Sequence, residues 1–165
     1  MIDFSLTYIQ EHAPYPITLT DAGFIFHTDF GLIYRVSLDK EDIVLGGCDT
    51  YQLILQNVGN GHAPKDPKVE TTVLAIIEEF FRSNQEILLY LCDTSDHREM
   101  ARSRLFMLWF KRNADATRFT ILSANTIVED QFIYAAIIVE NNNPHLSDIT
   151  ADFQEMANAL TNKPN

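Results

Sequence analysis

The chain has 165 residues, 46% of them hydrophobic and 21% charged, and its 12 Lys and Arg stand against 23 Asp and Glu, a formal net charge of -11. Eleven Phe and six Tyr spread from end to end exclude a collagen-like, mucin-like or disordered chain, and the length suits one domain over residues 1–165. No apolar run approaches the roughly 20 residues that cross a bilayer, and Met1-Ile2-Asp3-Phe4 lacks the basic flank of a secretory signal, so a cytoplasmic protein without membrane contact is expected.

In chain order, a short extra strand is expected at Phe4–Tyr8. Gly23–Thr28 and Leu32–Leu38 alternate in strand fashion around Asp29-Phe30-Gly31, which predicts a hairpin with Gly31 at positive φ. A polar connection through Asp39-Lys40-Glu41-Asp42 and Gly46-Gly47 leads to a third strand over Tyr51–Val58, ended by Gly59-Asn60-Gly61. Asp66 as N-cap and Pro67 in the first turn open a helix to Arg82, with Val69, Val73, Ile76, Ile77 and Phe80 on one stripe. Glu86–Cys92 is a nearly continuous apolar run, as in a central strand covered on both faces.

A second helix is expected from Ser95 or Asp96 to Arg112. Its Leu105-Phe106-Met107-Leu108-Trp109-Phe110 segment is apolar around most of its circumference, so it packs on two sides or forms an interface. Strands near Arg118–Ser123 and Phe132–Glu140 follow, joined through Asn125 and Glu129-Asp130, and the periodicity of Ile149, Phe153, Met156 and Leu160 predicts a final helix. The fold class is α/β (α+β): a mixed, mainly antiparallel sheet flanked by helices, in the order βββαβαββα.

The acidic balance argues against nucleic acid as a partner, because affinity for phosphate backbones comes largely from Lys and Arg. Cys48 and Cys92 have no CxxC partner, and the five His lack metal-ligand spacing, so no metal site is expected. Asp29-Phe30-Gly31 spells a kinase metal-binding triplet, but without a Gly-rich loop or catalytic HRD ahead of it the turn reading stands. Cys92 to Arg98 has the Cys-x5-Arg spacing of cysteine phosphatases between a strand and a helix N-terminus. Asp93 and Asp96 would there put two negative charges in a cradle meant for a dianion. The same carboxylates could serve metal-assisted phosphoryl transfer, or simply cap the helix and pair with Arg98 and Arg102, which share a helix face with Leu105 and Trp109. Asp93, Asp96, Arg98 and Arg102 are therefore candidate binding residues, and no residue is assigned a catalytic role.

Cys92-Asp93-Thr94-Ser95-Asp96-His97-Arg98, Arg104-Leu105-Phe106 and Trp109-Phe110, with Phe26-His27-Thr28-Asp29-Phe30-Gly31 and Tyr34, resemble a family of uncharacterised bacterial proteins over most of the chain. Separately, the element order from the second strand onward resembles the GCN5-related N-acetyltransferase fold. That likeness implies a coenzyme A pyrophosphate cradle at Gly59-Asn60-Gly61-His62-Ala63, with Gly59 and Gly61 as binding residues. The general-acid tyrosine of that family aligns nearest Leu105 or Phe106, which carry no proton to give.

The sequence thus leads to a non-catalytic interaction module without a cofactor, binding a protein partner or forming a homodimer through Phe106, Trp109 and Phe110. The alternatives are an N-acetyltransferase using acetyl-CoA, or a phosphate-ester enzyme using the Cys92–Arg98 loop.

Overall fold

A computed structural model describes residues 3–59, 64–93, 98–128 and 130–161. The elements are α1 (Leu6–His12), β1 (Ile17–Thr20), β2 (Gly23–His27), β3 (Ile33–Leu45), β4 (Cys48–Asn57), α2 (Pro67–Ser83), β5 (Ile87–Asp93), α3 (Arg98–Asn113), β6 (Phe119–Val128), β7 (Gln131–Glu140) and α4 (Leu146–Thr161). The seven strands form one sheet in the order β1-β2-β3-β4-β5-β7-β6. Every neighbouring pair is antiparallel except β4 and β5, which run parallel. The class is α+β with a mixed, mainly antiparallel sheet, as the sequence predicts.

The start of the chain departs from expectation. Phe4–Tyr8 is not a strand: Ser5 caps α1, its Oγ accepting from the Tyr8 amide at 3.2 Å, and Ile9 is fully buried. The extra strand comes later, at β1, paired with β2 across a tight turn at Asp21-Ala22. Asp39–Asp42 is likewise no loop. It continues β3 to Leu45 with a bulge between Glu41 and Val44, and Lys40 lies 3.6 Å from Asp49 on β4. The true turn is Gly46-Gly47, both at positive φ. Asn125 also lies within a strand, pairing with Tyr134, so the β6–β7 turn is short and passes through Asp130 at φ 64°. The hairpin around Gly31 is as predicted, with Gly31 at φ 77° and its amide donating to the Thr28 carbonyl at 3.1 Å.

Two apolar layers cover the sheet. On one face α1, α2 and α3 enclose Phe24, Phe26, Tyr34, Val36, Tyr51, Leu53, Leu55, Leu88 and Tyr90, and the predicted α2 stripe is buried throughout. On the other face α4 lays Ile149 and Phe153 over Leu45, Cys48, Ile87, Leu89, Ile137 and Val139. Ile87–Tyr90 is accordingly buried on both faces. In α3, Phe106, Met107 and Phe110 face the protein's own core and Trp109 packs at its edge, while Leu105 and Leu108 are exposed. The Phe106-Trp109-Phe110 surface expected for self-association is therefore not a surface: two of its three residues are spent on the fold. Among the described residues no helix is long and apolar enough to cross a membrane.

Candidate functional site

The parallel pair is the shortest ladder inside the sheet, and helix α3 comes close to β4. β4 and β5 share a ladder only at Thr50–Gln52 against Ile87–Leu89. β4 then continues to Asn57 on its pairing with β3, and β5 continues to Asp93 on its pairing with β7. The carboxyl-terminal halves of the two strands are thus held by their outer neighbours. On the helical face Leu53, Leu55, Tyr90 and Phe106 belong to one buried core cluster. On the opposite face Ile54, Gln56 and Leu91 are only half-buried. Carboxyl ends of adjacent parallel strands are the usual ligand position in open α/β sheets.

The chain leaves β4 through Gln56-Asn57-Val58-Gly59-Asn60-Gly61. Gln56 Oε1 accepts from Nη2 of Arg35, its partner in the β3–β4 register. The Gly59 amide donates to Asn57 Oδ1 at 3.1 Å, and among the described residues a Cβ added at Gly59 would meet only that oxygen, at 3.8 Å. Gly61, with residues 60–63, lies outside the described residues.

Helix α2 begins just beyond, and its first turn is already occupied. Asp66, 5% exposed, accepts from the Lys68 amide at 3.1 Å through Oδ1 and from the Tyr15 hydroxyl at 2.5 Å through Oδ2. Tyr15 Oη accepts in turn from the Asp29 amide at 3.3 Å, and Lys68 Nζ reaches Asp29 Oδ2 at 2.8 Å. Burial, reinforced by the bond to Asp66, pushes the Tyr15 phenol up to about 12. Asp29 holds the Lys68 ammonium above its ordinary range. With Pro67 lacking an N–H and Asp66 taking the next amide, this helix end is not a free anion site.

Of the residues singled out from sequence, Gly59 stands at the exit of β4, Asp93 ends β5, Arg98 opens α3, and Arg102 follows one turn later. Asp96 lies outside the described residues, as does the pairing expected among the side chains of Asp93, Asp96, Arg98 and Arg102. At the positions set against the acetyltransferase tyrosine, Leu105 is exposed and Phe106 buried. Phenols near the end of β5 come instead from Tyr90 and Tyr134, whose ring centroids are 6.1 Å apart, and Lys111 Nζ donates to Tyr134 Oη at 3.3 Å. Cys48 is buried and burial raises its thiol pKa, as suits a packing residue. Among the described residues no group of three or more His, Cys, Asp or Glu is placed to hold a metal ion.

Gln56 and Arg35 are absent from the sequence-based expectation. The signal for Gln56 lies in the sequence itself: it stands three positions before Gly59 and five before Gly61. Arg35 had no such signal, because only the strand register puts it beside Gln56.

A family model described as "Family of unknown function (DUF6169)" matches residues 65–155, which spans α2 to the middle of α4. No curated protein and no solved structure matches the chain.

Proposed function

Because the chain belongs to the Family of unknown function (DUF6169), whose description assigns no activity, we propose a function from its geometry: the protein binds an acyl-coenzyme A in the split between β4 and β5 and passes the acyl group to an amine. The observation that carries this reading is the parallel ladder that ends at Gln52 and Leu89 while both strands run on. A chain carrying two amides, such as the pantetheine arm, hydrogen-bonds to strand backbone as another strand would. The exit of β4 supports the same ligand, since Gln56-x-x-Gly59-x-Gly61 follows the Arg/Gln-x-x-Gly-x-Gly/Ala pattern whose turn cradles pyrophosphate in GCN5-related N-acetyltransferases. The acidic chain favours a cationic amine as acceptor.

One observation favours a second reading, a module that binds the thioester without turning it over: Leu105 and Phe106 carry no dissociable proton where the acetyltransferases place an acid.

Thermal shift with acetyl-CoA, followed by thiol release over a panel of amines, separates these. Stabilisation with amine-dependent thiol release supports the transferase, and stabilisation without it supports the module. No stabilisation overturns both. Gly59→Val, at a position where the described structure leaves room, is expected to abolish the stabilisation while leaving the ligand-free melting temperature within a few degrees of wild type.

A further inference from the structure

An open sheet has two edges, and each edge strand presents N–H and C=O groups that no neighbouring strand takes. At one edge of this sheet that exposure is small: β1 has four residues, and the Ile17 carbonyl accepts from Gln10 Nε2 at 3.2 Å. At the other edge β6 runs for ten residues and pairs with β7 alone, in a register without a shift. Phe119–Val128 contains no charged residue, no proline and no glycine, although 23 of the 165 residues are Asp or Glu. Charges, prolines and bulges keep strand edges apart, and β6 has none of them.

The phase of the ladder identifies the groups that face outward. The Asn141 amide donates to the Arg118 carbonyl at 2.8 Å, and these two residues continue the register of Phe119 with Glu140 and Thr120 with Val139. Bonded pairs alternate along an antiparallel ladder, so Thr120, Leu122 and Ala124 bond to β7 and the residues between them turn their N–H and C=O away. The Phe119 amide is taken by the Asp115 carbonyl at 3.0 Å. Ile121, Ser123, Asn125 and Ile127 remain, and among the described residues none of their outward backbone groups has a partner. Ser123, Asn125 and Ile127 are exposed, Ile127 at 70%. Leu122 and Ala124 lie against the cluster that holds Ile149 and Phe153, so α4 covers a face of β6.

The four outward residues are centred on Ala124. We infer that β6 is a dimerisation strand, pairing antiparallel with β6 of a second copy of this chain about a two-fold axis at Ala124 and joining the two sheets into one. In that register every outward group of the four finds a counterpart. Ile121 opposes the partner's Ile127, and Ser123 opposes the partner's Asn125, so apolar meets apolar and polar meets polar. Ala124 faces its own copy in a non-hydrogen-bonded pair, where side chains come closest and a small one fits. A closed two-fold contact requires self-complementarity of this kind. Charge points to the same occupant: each chain carries a net -11, and copies that repel elsewhere meet no opposing like charges along a neutral strand. Strand β7 lies between this edge and the β4–β5 split, so the dimer does not depend on the ligand proposed above.

The test is sedimentation velocity of the full chain over a range of concentrations. Wild type is expected to dimerise, more tightly as salt rises from about 0.05 M to about 0.5 M and screens the two net charges. Ser123→Pro removes an N–H that β7 does not use, and it is expected to keep a cooperative melt while weakening the dimer by about tenfold or more. Should Ser123→Pro fail to fold, two charged variants carry the comparison. Ser123→Lys/Asn125→Lys sets ammonium against ammonium and is expected to weaken the dimer even though it lowers the net charge. Ser123→Glu/Asn125→Lys sets carboxylate against ammonium and is expected to dimerise close to wild type. A wild type that is monomeric at every concentration and salt overturns the inference and leaves the β6 edge to an extended peptide of another protein. A dimer equally strong in Ser123→Pro, or equally strong in the two charged variants, overturns it as well and directs attention to the exposed Leu105 and Leu108 of α3.

Discussion

Tyr15 donates its phenolic hydrogen to Asp66 at 2.5 Å, joining the segment ahead of β1 to the first turn of α2, beside the loop that leaves β4. The bond fixes the N-cap carboxylate that starts α2, so it also fixes where the glycine loop must end.

Tyr15→Phe keeps the ring and removes the bond, and it is expected to cost about 1 kcal/mol. The folded-state pKa of Tyr15, about 12, lies above its unfolded value near 10. Its contribution is therefore complete below about pH 10 and is lost as pH rises through about 12. Urea denaturation of wild type and Tyr15→Phe between pH 8 and 12 checks the sign: the gap between them should narrow across that interval. A gap that widens contradicts the assignment.

Glu79 is fully buried on α2, where it accepts from the Ser5 amide at the start of α1 and pairs with Arg82, whose guanidinium lies 4.5 Å from the Tyr8 ring centroid. Glu79→Ala leaves the Ser5 N–H without its carboxylate and should lower stability by about 1–3 kcal/mol, read by chemical denaturation. The same variant should speed hydrogen exchange in α1 more than in β5.

Gly46 tests the attachment of α4. Its amide donates to Asp152 Oδ2 at 2.7 Å, and a Cβ there would meet the Ile149 amide and Cγ1 at 2.8 Å. Gly46→Ala is expected to destabilise by about 1–3 kcal/mol, from crowding added to the strain of its positive φ. Gly47→Ala, at φ 79° with open space around it, should cost only about 1 kcal/mol. Equal effects in thermal melts would contradict the packing seen at Gly46.

The inward placement of α3 predicts opposite outcomes for neighbouring apolar residues. Phe110→Ala should cost about 3–5 kcal/mol, since Phe110 is 1% exposed. Leu108→Ser, at a residue 56% exposed, should change stability within about 0.5 kcal/mol. Light scattering on Leu108→Ser, compared with wild type, then reports whether the exposed face of α3 contributes to any self-association.

Much of this fold is readable from local pattern. Val69, Val73, Ile76, Ile77 and Phe80 recur at helical spacing and are buried, and Asp66 and Pro67 open α2 as their chemistry requires. Local pattern misleads where distant residues decide. Phe4, Leu6 and Tyr8 alternate like a strand, yet the Ser5 cap and the Glu79 carboxylate, 74 positions away, favour a helix. Asp39–Asp42 reads as a solvated loop because its partners on β4 are invisible until the hairpin forms. The candidate site divides in the same way. Gln56, Gly59 and Gly61 lie close together in the sequence, whereas the parting of β4 from β5 and the approach of Arg35 to Gln56 depend on strand register, which no local window contains.

Hydrogen–deuterium exchange with and without acetyl-CoA, followed on peptides covering β4 and its exit, tests the central claim most directly. Binding in the split predicts slowed exchange over Leu53–Gly61 and along β5 to Asp93, with β1 and the N-terminal half of β6 unchanged. Acetyl-CoA that binds while leaving Leu53–Gly61 unprotected, or that leaves every peptide unchanged, would contradict it.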